Sequence, residues 1–266
     1  MPLSPLLRGY DQLILDLDGC VWVGEEATPR AREAVAAIRA AGLRLAFVTN
    51  DGRHSPEEYV RKLWAIGCQA SVEEIVSVGA ALQYVLAGDE PGAGAFVIGS
   101  PAIFRHVADA GCRILNNTTR AEQADLVVVV AYDELHYREL LTATRAVLAG
   151  AAMLAGCRDA TFPATGGPAP GTGSIVAALE TATGARAQCV GKPERQMFDT
   201  ALDRLGEGRT LVVGDRIDAD LAGAAAAGLD AAIVLSGVTD RAAAQAAQAP
   251  APVAIAEDLG QLVLGN

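Results

Sequence analysis

The chain has 266 residues, of which 51% are hydrophobic and only 5% aromatic. A chain of this length can bury a substantial core, and its Ala, Val and Leu content is typical of an enzyme built from helices and a sheet. The 32 acidic residues outnumber the 21 basic ones, which gives a formal net charge of −11. Because such a surface repels polyphosphate, we expect no nucleic-acid polymer as a partner. A site for an anionic substrate would need a cation of its own.

The cysteines and the N-terminal segment both indicate a cytoplasmic protein. The five cysteines form no Cys-x-x-Cys pair and share no metal-ligand spacing with the histidines, so we expect buried free thiols in a reducing compartment. The N-terminus lacks the apolar stretch of a signal peptide, and the apolar runs are too short to cross a bilayer. We therefore expect no membrane partner.

Short strands alternate with helices through the first part of the chain. Ser55 is expected to cap a helix, because Pro56 follows it and Glu58 stands three residues later, as in a capping box. Such alternation predicts a mostly parallel sheet with right-handed crossovers. The predicted strands are Gln12–Leu17, Leu43–Thr49 and Glu74–Ser77, and the predicted helices are Thr28–Ala41, a helix after Ser55 and one that ends at Leu86.

The same alternation continues with different content, which predicts an inserted second domain. We place a catalytic core at residues 1–76 and 186–266 and the insert at 77–185, with the loop Gly88–Gly94 and Gly184 near its limits. In the insert we predict strands at Ala95–Ile98, Arg113–Leu115 and Leu126–Val130, and helices at His106–Ala110, Tyr137–Leu148 and Ile175–Thr183, the last capped by Ser174. After it we predict strands at Gln188–Val190, Leu211–Val213 and Ala231–Leu235, and helices at Arg195–Leu205, Asp220–Ala227 and Arg241–Gln248.

Two carboxylates follow the first predicted strand. In an extended segment the side chains of Asp16 and Asp18 point the same way, and such neighbours repel each other unless a cation lies between them. Magnesium prefers such oxygen ligands. The alternative interpretation, a simple Asp-Gly turn, accounts for Asp18 and Gly19 but not for Asp16, a charged residue within an apolar strand.

Three more polar clusters stand at the ends of predicted strands. They are Thr49-Asn50-Asp51-Gly52, Lys192 between Gly191 and Pro193, and Gly214–Asp220 with its three carboxylates. Each alone is compatible with a turn or a solvated charge. In parallel sheets, however, ligands collect at the carboxyl ends of the strands, so the whole set favours a functional site.

These clusters, DLDGCVW, VTN, GKP and GDRIDAD, resemble the four motifs of the haloacid dehalogenase-like superfamily. The segments ATFPATGG and GTGSIVAALETATG are similar to the subclass with a large α/β cap, which includes p-nitrophenyl phosphatase-like and nucleotide phosphatases. The resemblance implies a Rossmann-like parallel sheet with helices on both faces, an inserted α/β cap, and a magnesium-dependent phosphatase. Its substrates would be small phosphomonoesters such as p-nitrophenyl, sugar or glycerol phosphates, phosphoglycolate or nucleotides. A homodimer is also implied.

The resemblance assigns a role to each polar residue. Asp16 would be the nucleophile and Asp18 the acid and base. Asp16, the backbone carbonyl of Asp18, and Asp215 would hold Mg²⁺. The remaining roles fall to Lys192, which would neutralise the nucleophile and the phosphate, to Asp220, which would orient the lysine or a metal-bound water, and to Thr49 and Asn50, which would bind phosphate oxygens.

The chain departs from the family pattern after the second motif and in the cap, which affects the choice of substrate. Candidate substrate contacts are Asp51, Arg53, His54, Arg158 and Asp159. Trp22 and Trp64 are expected to be packing residues. Three alternatives remain open at this point: a phosphotransferase or phosphomutase of the same chemistry, a phospho-acceptor without turnover, and a scaffold protein.

Overall fold

The computed structural model describes residues 3–88, 92–164 and 167–265. Positions 89–91 of the predicted loop Gly88–Gly94 and positions 165–166 of the ATFPATGG segment lie outside these ranges. The chain divides into two compact units. The first unit comprises Met1–Thr49, Pro56–Val76 and Lys192–Asn266, and the second comprises Asn50–Ser55 and Ser77–Gly191.

The strands and helices alternate along the chain, as the sequence predicts. The strands are β1 (Gln12–Asp16), β2 (Trp22–Val23), β3 (Glu26–Ala27), β4 (Arg44–Thr49), β5 (Ile75–Ser77), β6 (Gly94–Ile98), β7 (Arg113–Ile114), β8 (Leu126–Val129), β9 (Ala152–Ala155), β10 (Thr161–Ala164), β11 (Gly167–Pro170), β12 (Gln188–Cys189), β13 (Thr210–Gly214), β14 (Asp230–Val234) and β15 (Ala254–Ala256). The helices are α1 (Ala31–Ala40), α2 (Pro56–Ala65), α3 (Val78–Leu86), α4 (Pro101–Asp109), α5 (Tyr137–Leu148), α6 (Thr172–Thr183), α7 (Arg195–Leu205), α8 (Ala222–Ala226), α9 (Arg241–Ala246) and α10 (Leu259–Leu264).

The first unit is built on a six-stranded sheet in the order β15-β14-β13-β1-β4-β5. Strand β1 is buried along its whole length and pairs in parallel with β13 and β4. Its apolar side chains pack into a core with residues such as Phe47 and Leu211. Because these three neighbouring strands run the same way, the residues at their carboxyl ends, Asp16, Thr49 and Gly214, share one edge of the sheet.

The second unit contains a five-stranded sheet in the order β12-β9-β8-β6-β7, whose recorded pairs are all parallel. An antiparallel hairpin, β10 with β11, lies outside that sheet. Strand β12 pairs with β9, so residues 186–191 lie with the second unit rather than after the domain boundary that we predict at 186. Together the two sheets and their helices confirm the predicted α/β fold class.

Several element limits differ from the predictions for local reasons. Helix α1 begins at Ala31, three residues later than expected, because Arg30 has a left-handed backbone with φ of 58°. Helix α6 begins at Thr172 after Gly171, so Ser174 lies within its first turn and donates to the carbonyl of Ala160 instead of capping the helix. The predicted helix Asp220–Ala227 is a π-helical turn, Ile217–Leu221, followed by α8.

Two further expectations concern membrane-spanning helices and free thiols. Among the helices in the described ranges, none combines the length and apolarity that crossing a membrane requires. All five cysteines are free thiols, four of them buried and Cys112 half-buried.

Candidate active site

Three buried carboxylates meet in the first unit. Asp16 ends β1, Asp215 follows β13, and Asp220 lies in the π-helical turn. One carboxylate oxygen of each lies within 4.8 Å of the others. Gly214 allows this approach, because a Cβ at that position would collide with the Asp220 side chain. The structure therefore brings Asp16 together with Asp215 and Asp220, which lie 199 and 204 positions later in the sequence.

A single buried ammonium group bridges two of these carboxylates. Nζ of Lys192 donates to Oδ1 of Asp220 at 2.7 Å and also to Oδ1 of Asp16. Asp220 accepts a second hydrogen bond from the backbone N–H of Arg216 at 3.1 Å. Asp220 therefore lies in direct contact with the lysine, while its role in orienting the lysine or a metal-bound water stays a prediction.

The charges in this cluster do not balance. Burial raises the pKa of Asp16 in spite of the nearby Lys192, and burial also raises the pKa of Asp215. Burial lowers the pKa of Lys192, but the Asp16 and Asp220 carboxylates outweigh this and raise it above its usual range. When all three carboxylates are ionised, one ammonium group leaves two negative charges uncompensated. Such a cluster favours a bound cation.

Asp215 is held by backbone and by small residues. Its Oδ2 accepts the N–H of Val238 at 2.6 Å. A Cβ at Gly19 or at Gly237 would collide with the carboxylate, and Gly19 in addition has a φ of +87° that favours glycine. The other oxygen, Oδ1, is buried and has no hydrogen-bond partner among the described residues.

This donor set fits a magnesium ion. A buried oxygen without a partner is costly, and a cation would satisfy it. Magnesium takes carboxylate oxygens and retains waters for its other positions. Asp16 and Asp215 are the residues that would hold it, with Asp220 beside them.

Asp18 differs from the three buried carboxylates in its exposure. Strand β1 ends at Asp16, the chain bends at Leu17, and Asp18 forms an isolated parallel bridge with Trp22. Asp18 is exposed, and its Oδ1 accepts a hydrogen bond from Nε1 of Trp22 at 2.8 Å. Asp18 is therefore exposed, two residues after the buried Asp16. Thr49 is buried at the end of β4.

The other predicted contacts lie in the second unit. Nδ2 of Asn50 donates to Oδ2 of Asp159 at 3.0 Å. The guanidinium of Arg53 donates two hydrogen bonds to the Asp51 carboxylate, at 2.9 and 3.0 Å, and the backbone N–H of Arg53 donates a third at 2.9 Å. His54 follows and is exposed.

Arg158 has a structural partner. It forms an ion pair with Glu180 at 3.0 Å and donates to the carbonyl of Ala187 at 2.9 Å. These contacts tie the segment after β9 to helix α6 and to the chain before β12. The guanidinium of Arg158 is thus held within the second unit, and its contact with substrate stays a prediction.

A cavity of about 990 Å³ lies within the second unit. It opens where β6 and β8 end, which is where the strand order of this sheet reverses, a usual place for a ligand in an open parallel sheet. Its lining includes Arg53, Ser100, Phe104, Tyr132, Asp133 and His136. Of these, only Arg53 is a substrate candidate predicted from the sequence.

Two contributors to the site were missed in the sequence. The Gly237-Val238 pair holds Asp215, and Trp22 holds Asp18. Gly237 could have been suspected, since it follows a predicted strand at the edge where the other polar clusters lie. The indole contact gives no sequence signal beyond the four-residue spacing.

Models of known families match both ends of the chain. A haloacid dehalogenase-like hydrolase model matches residues 13–113, and a second HAD-hydrolase-like model matches residues 189–262. A crystal structure of a p-nitrophenyl phosphatase from Archaeoglobus fulgidus is similar, with 30% identity and a TM-score of 0.86, over 95% of this chain and 98% of that one. The chain belongs to the haloacid dehalogenase-like hydrolases.

Two glycerol phosphate phosphatases are also similar to this chain. The D-glycerol 3-phosphate phosphatase of Mycobacterium tuberculosis is 35% identical over 89% of this chain, which spans 66% of the length of that relative. A crystal structure of a glycerol phosphate phosphatase from the same species, in complex with magnesium, has 36% identity and a TM-score of 0.88. That match covers 95% of this hydrolase and 77% of the other chain.

Proposed function

We propose that this haloacid dehalogenase-like hydrolase is a Mg²⁺-dependent phosphatase that cleaves small phosphomonoesters through a phospho-aspartyl intermediate on Asp16. The observation that supports this most strongly is the buried Lys192–Asp16 contact beside Asp215, whose Oδ1 has no partner among the described residues. A nucleophile, a fixed cation and an unsatisfied metal ligand are the groups that phosphoryl transfer needs.

The proposed reaction has two balanced halves. First, a carboxylate oxygen of Asp16 forms a bond to phosphorus, the bond from phosphorus to the ester oxygen breaks, and Asp18 gives its proton to that oxygen. Second, a water molecule gives a proton to Asp18 and its oxygen bonds to phosphorus, which breaks the bond to Asp16 and releases phosphate.

The other residues stabilise charge. The ammonium group of Lys192 lies against Asp16 and would offset the charge of the phosphoryl oxygens. Magnesium, held by Asp16, the backbone carbonyl of Asp18, and Asp215, would supply electrostatic stabilisation of the transferring group. Thr49 and Asn50 would bind the remaining phosphate oxygens.

The substrate class follows from the similar proteins and from the composition of the second unit. The relatives named above act on glycerol phosphate and on p-nitrophenyl phosphate. We assign the first unit to the chemistry and the second to a cap that selects small soluble esters. Arg53, which lines the cavity, is the foremost candidate contact for the organic group, ahead of Asp51, His54, Arg158 and Asp159.

The proposal includes a cytoplasmic location and a homodimer. The five free thiols support a reducing compartment. Light scattering coupled to size-exclusion chromatography tests the dimer. A mass near the chain's 27.3 kDa would contradict it.

Phosphate release from a panel of phosphomonoesters tests the function. The panel contains glycerol, sugar, nucleoside and p-nitrophenyl phosphates and phosphoglycolate, each assayed with Mg²⁺ and with EDTA. We expect magnesium-dependent turnover by the wild type and none by Asp16→Asn. Magnesium binding without turnover of any ester would favour a phospho-acceptor or scaffold instead, and transfer to an added sugar hydroxyl would favour a phosphotransferase.

A further inference from the structure

A buried indole holds the exposed carboxylate of Asp18. Nε1 of Trp22 donates to Oδ1 of Asp18 at 2.8 Å. The Trp22 side chain is only 1% exposed and is among the largest fully buried side chains of the chain. A donor fixed in the core therefore ends on a carboxylate that faces solvent, which restricts where that carboxylate can point.

Backbone hydrogen bonds fix the segment between the two residues. The N–H of Gly19 donates to the carbonyl of Trp22 at 2.7 Å, and the N–H of Trp22 donates to the carbonyl of Leu17 at 3.1 Å. The segment from Leu17 to Trp22 is thus a closed turn. This turn keeps the backbones of Asp18 and Trp22 close, so that the two side chains can form their hydrogen bond.

A lysine of helix α2 lies over one face of the indole ring. Nζ of Lys62 lies 4.6 Å from the centre of the Trp22 ring, a cation–π contact. The same ammonium group donates to the carbonyl of Gly24 at 2.8 Å and to Glu25 at 3.2 Å, both in the β2–β3 hairpin. The ring is therefore held on several sides, and its N–H has one direction.

We infer that Trp22 is a positioning residue for the acid–base step, in which its indole N–H fixes one oxygen of Asp18 so that the carboxyl group meets the ester oxygen. This inference rests on the proposed phosphatase function. In that step the bond from phosphorus to the ester oxygen breaks while the Asp18 proton moves to that oxygen. Trp22 exchanges no proton. It reduces the number of orientations from which the transfer must start.

The effect on the rate of losing the Trp22 hydrogen bond depends on the leaving group of the ester. An alkoxide is a strong base and leaves only as it is protonated, whereas p-nitrophenolate is stable enough to leave with little help. The specificity constant kcat/KM reports the steps up to leaving-group release, so it isolates the acid half of the reaction. If the Asp18 carboxyl group loses its fixed orientation, kcat/KM should therefore fall much more for alkyl phosphates than for p-nitrophenyl phosphate.

The test compares Trp22→Phe with Trp64→Phe. Trp64 is a matched control, because its indole also donates at 2.8 Å, but to the backbone carbonyl of Ala70 and from a side chain that is 56% exposed. For Trp22→Phe we expect kcat/KM on the best alkyl phosphate of the panel to fall about 10-fold, the effect of one hydrogen bond to the protonated, uncharged carboxyl group. On p-nitrophenyl phosphate it should change little, and Trp64→Phe should leave both values unchanged.

Asp18→Asn provides the second side of a double-mutant cycle. This variant should show the same selectivity for good leaving groups, and adding Trp22→Phe to it should produce no further selective loss. If Trp22→Phe impairs both kinds of ester equally, or if its selective loss persists undiminished in the Asp18→Asn background, the positioning role is wrong. If the wild type hydrolyses no ester, the proposed function fails and this inference fails with it.

A second readout does not require Trp22→Phe to fold. The chain has only two tryptophans, so ¹⁵N-indole labelling gives two side-chain N–H signals, which Trp64→Phe assigns. We expect Asp18→Asn to shift the Trp22 signal and to leave the Trp64 signal in place. An unshifted Trp22 signal would show that the contact is absent in solution.

Discussion

Nζ of Lys192 lies 2.7 Å from Oδ1 of Asp220, and the same ammonium group bonds to Asp16. All three side chains are buried. A buried charge is stable only when it is paired, so the lysine is a structural element as well as a proposed catalytic one. Removing it leaves carboxylates buried together without their cation.

Lys192→Met should therefore lower the free energy of unfolding as well as abolish turnover. We expect a loss of about 3–5 kcal/mol, the usual cost of removing one partner from a buried ion pair. Urea denaturation without added metal measures this. Arg195→Met removes an exposed cation that pairs with Asp199 and should change little. Equal stability of Lys192→Met and wild type would contradict the charge balance described here.

Asp215→Asn should abolish stabilisation by magnesium. A ligand that binds only the folded protein at 100 times its Kd stabilises it by about 2.7 kcal/mol. We expect Mg²⁺ to raise the Tm of the wild type and not that of Asp215→Asn. Asp218→Asn is the control, because Asp218 is an exposed neighbour paired with Arg216. Loss of the magnesium effect in both variants would show that general surface charge, not Asp215, binds the ion.

Gly237→Ala should weaken magnesium binding without removing a ligand. A methyl group at this position would collide with the Asp215 carboxylate and displace it. We expect about a 10- to 100-fold loss of affinity, as for other residues that orient metal ligands. Calorimetric titration with Mg²⁺ measures it. In Gly88→Ala the nearest atom to the new methyl group lies at 3.5 Å, so its affinity should match the wild type.

Glu180 gives the second unit a pH-dependent stability. Hydrogen bonds from Arg158 and from the N–H of Ala187 lower the pKa of Glu180 from 4.5 to about 2. A carboxyl whose pKa falls on folding stabilises the protein above its unfolded pKa, and this contribution is lost as the pH falls from about 4.5 to about 2.

Glu180→Gln should thus be less stable than wild type at pH 7, by about 1 kcal/mol for lost hydrogen bonds. The difference should shrink as the pH approaches 2. Urea denaturation across this range measures it. Glu122→Gln, which removes an exposed ion pair with Arg145, should show little difference at any pH. A constant difference between Glu180→Gln and wild type would refute the assignment.

The sequence predicted the fold class and most elements because local signals agreed with the final structure. Helices α5 and α7 have the limits that their periodicity indicates, Tyr137–Leu148 and Arg195–Leu205. Strand β12 is different: two residues carry no information about which sheet they join, and pairing with β9 decides it. Tertiary context overrides local pattern in such short segments.

In the candidate site, too, some residues could be predicted from the sequence and some contacts could not. Asp16, Lys192 and Asp215 were identifiable because charged residues are unexpected at the ends of apolar strands. The hydrogen bond from Trp22 to Asp18 was not, since a tryptophan in an apolar motif indicates packing, and the direction of its N–H is set only by the folded structure. Arg158 pairs with Glu180, which lies 22 positions later and which no local pattern links to it.

The most direct test of the account is to trap the phosphorylated enzyme. Wild type and Asp16→Asn are mixed with a ³²P-labelled phosphomonoester and Mg²⁺, quenched in acid within milliseconds, and the labelled peptide is identified. We predict a hydroxylamine-sensitive label on Asp16 in the wild type and no label in Asp16→Asn. Turnover that proceeds without a covalent label, or a label on any other residue, would contradict the account.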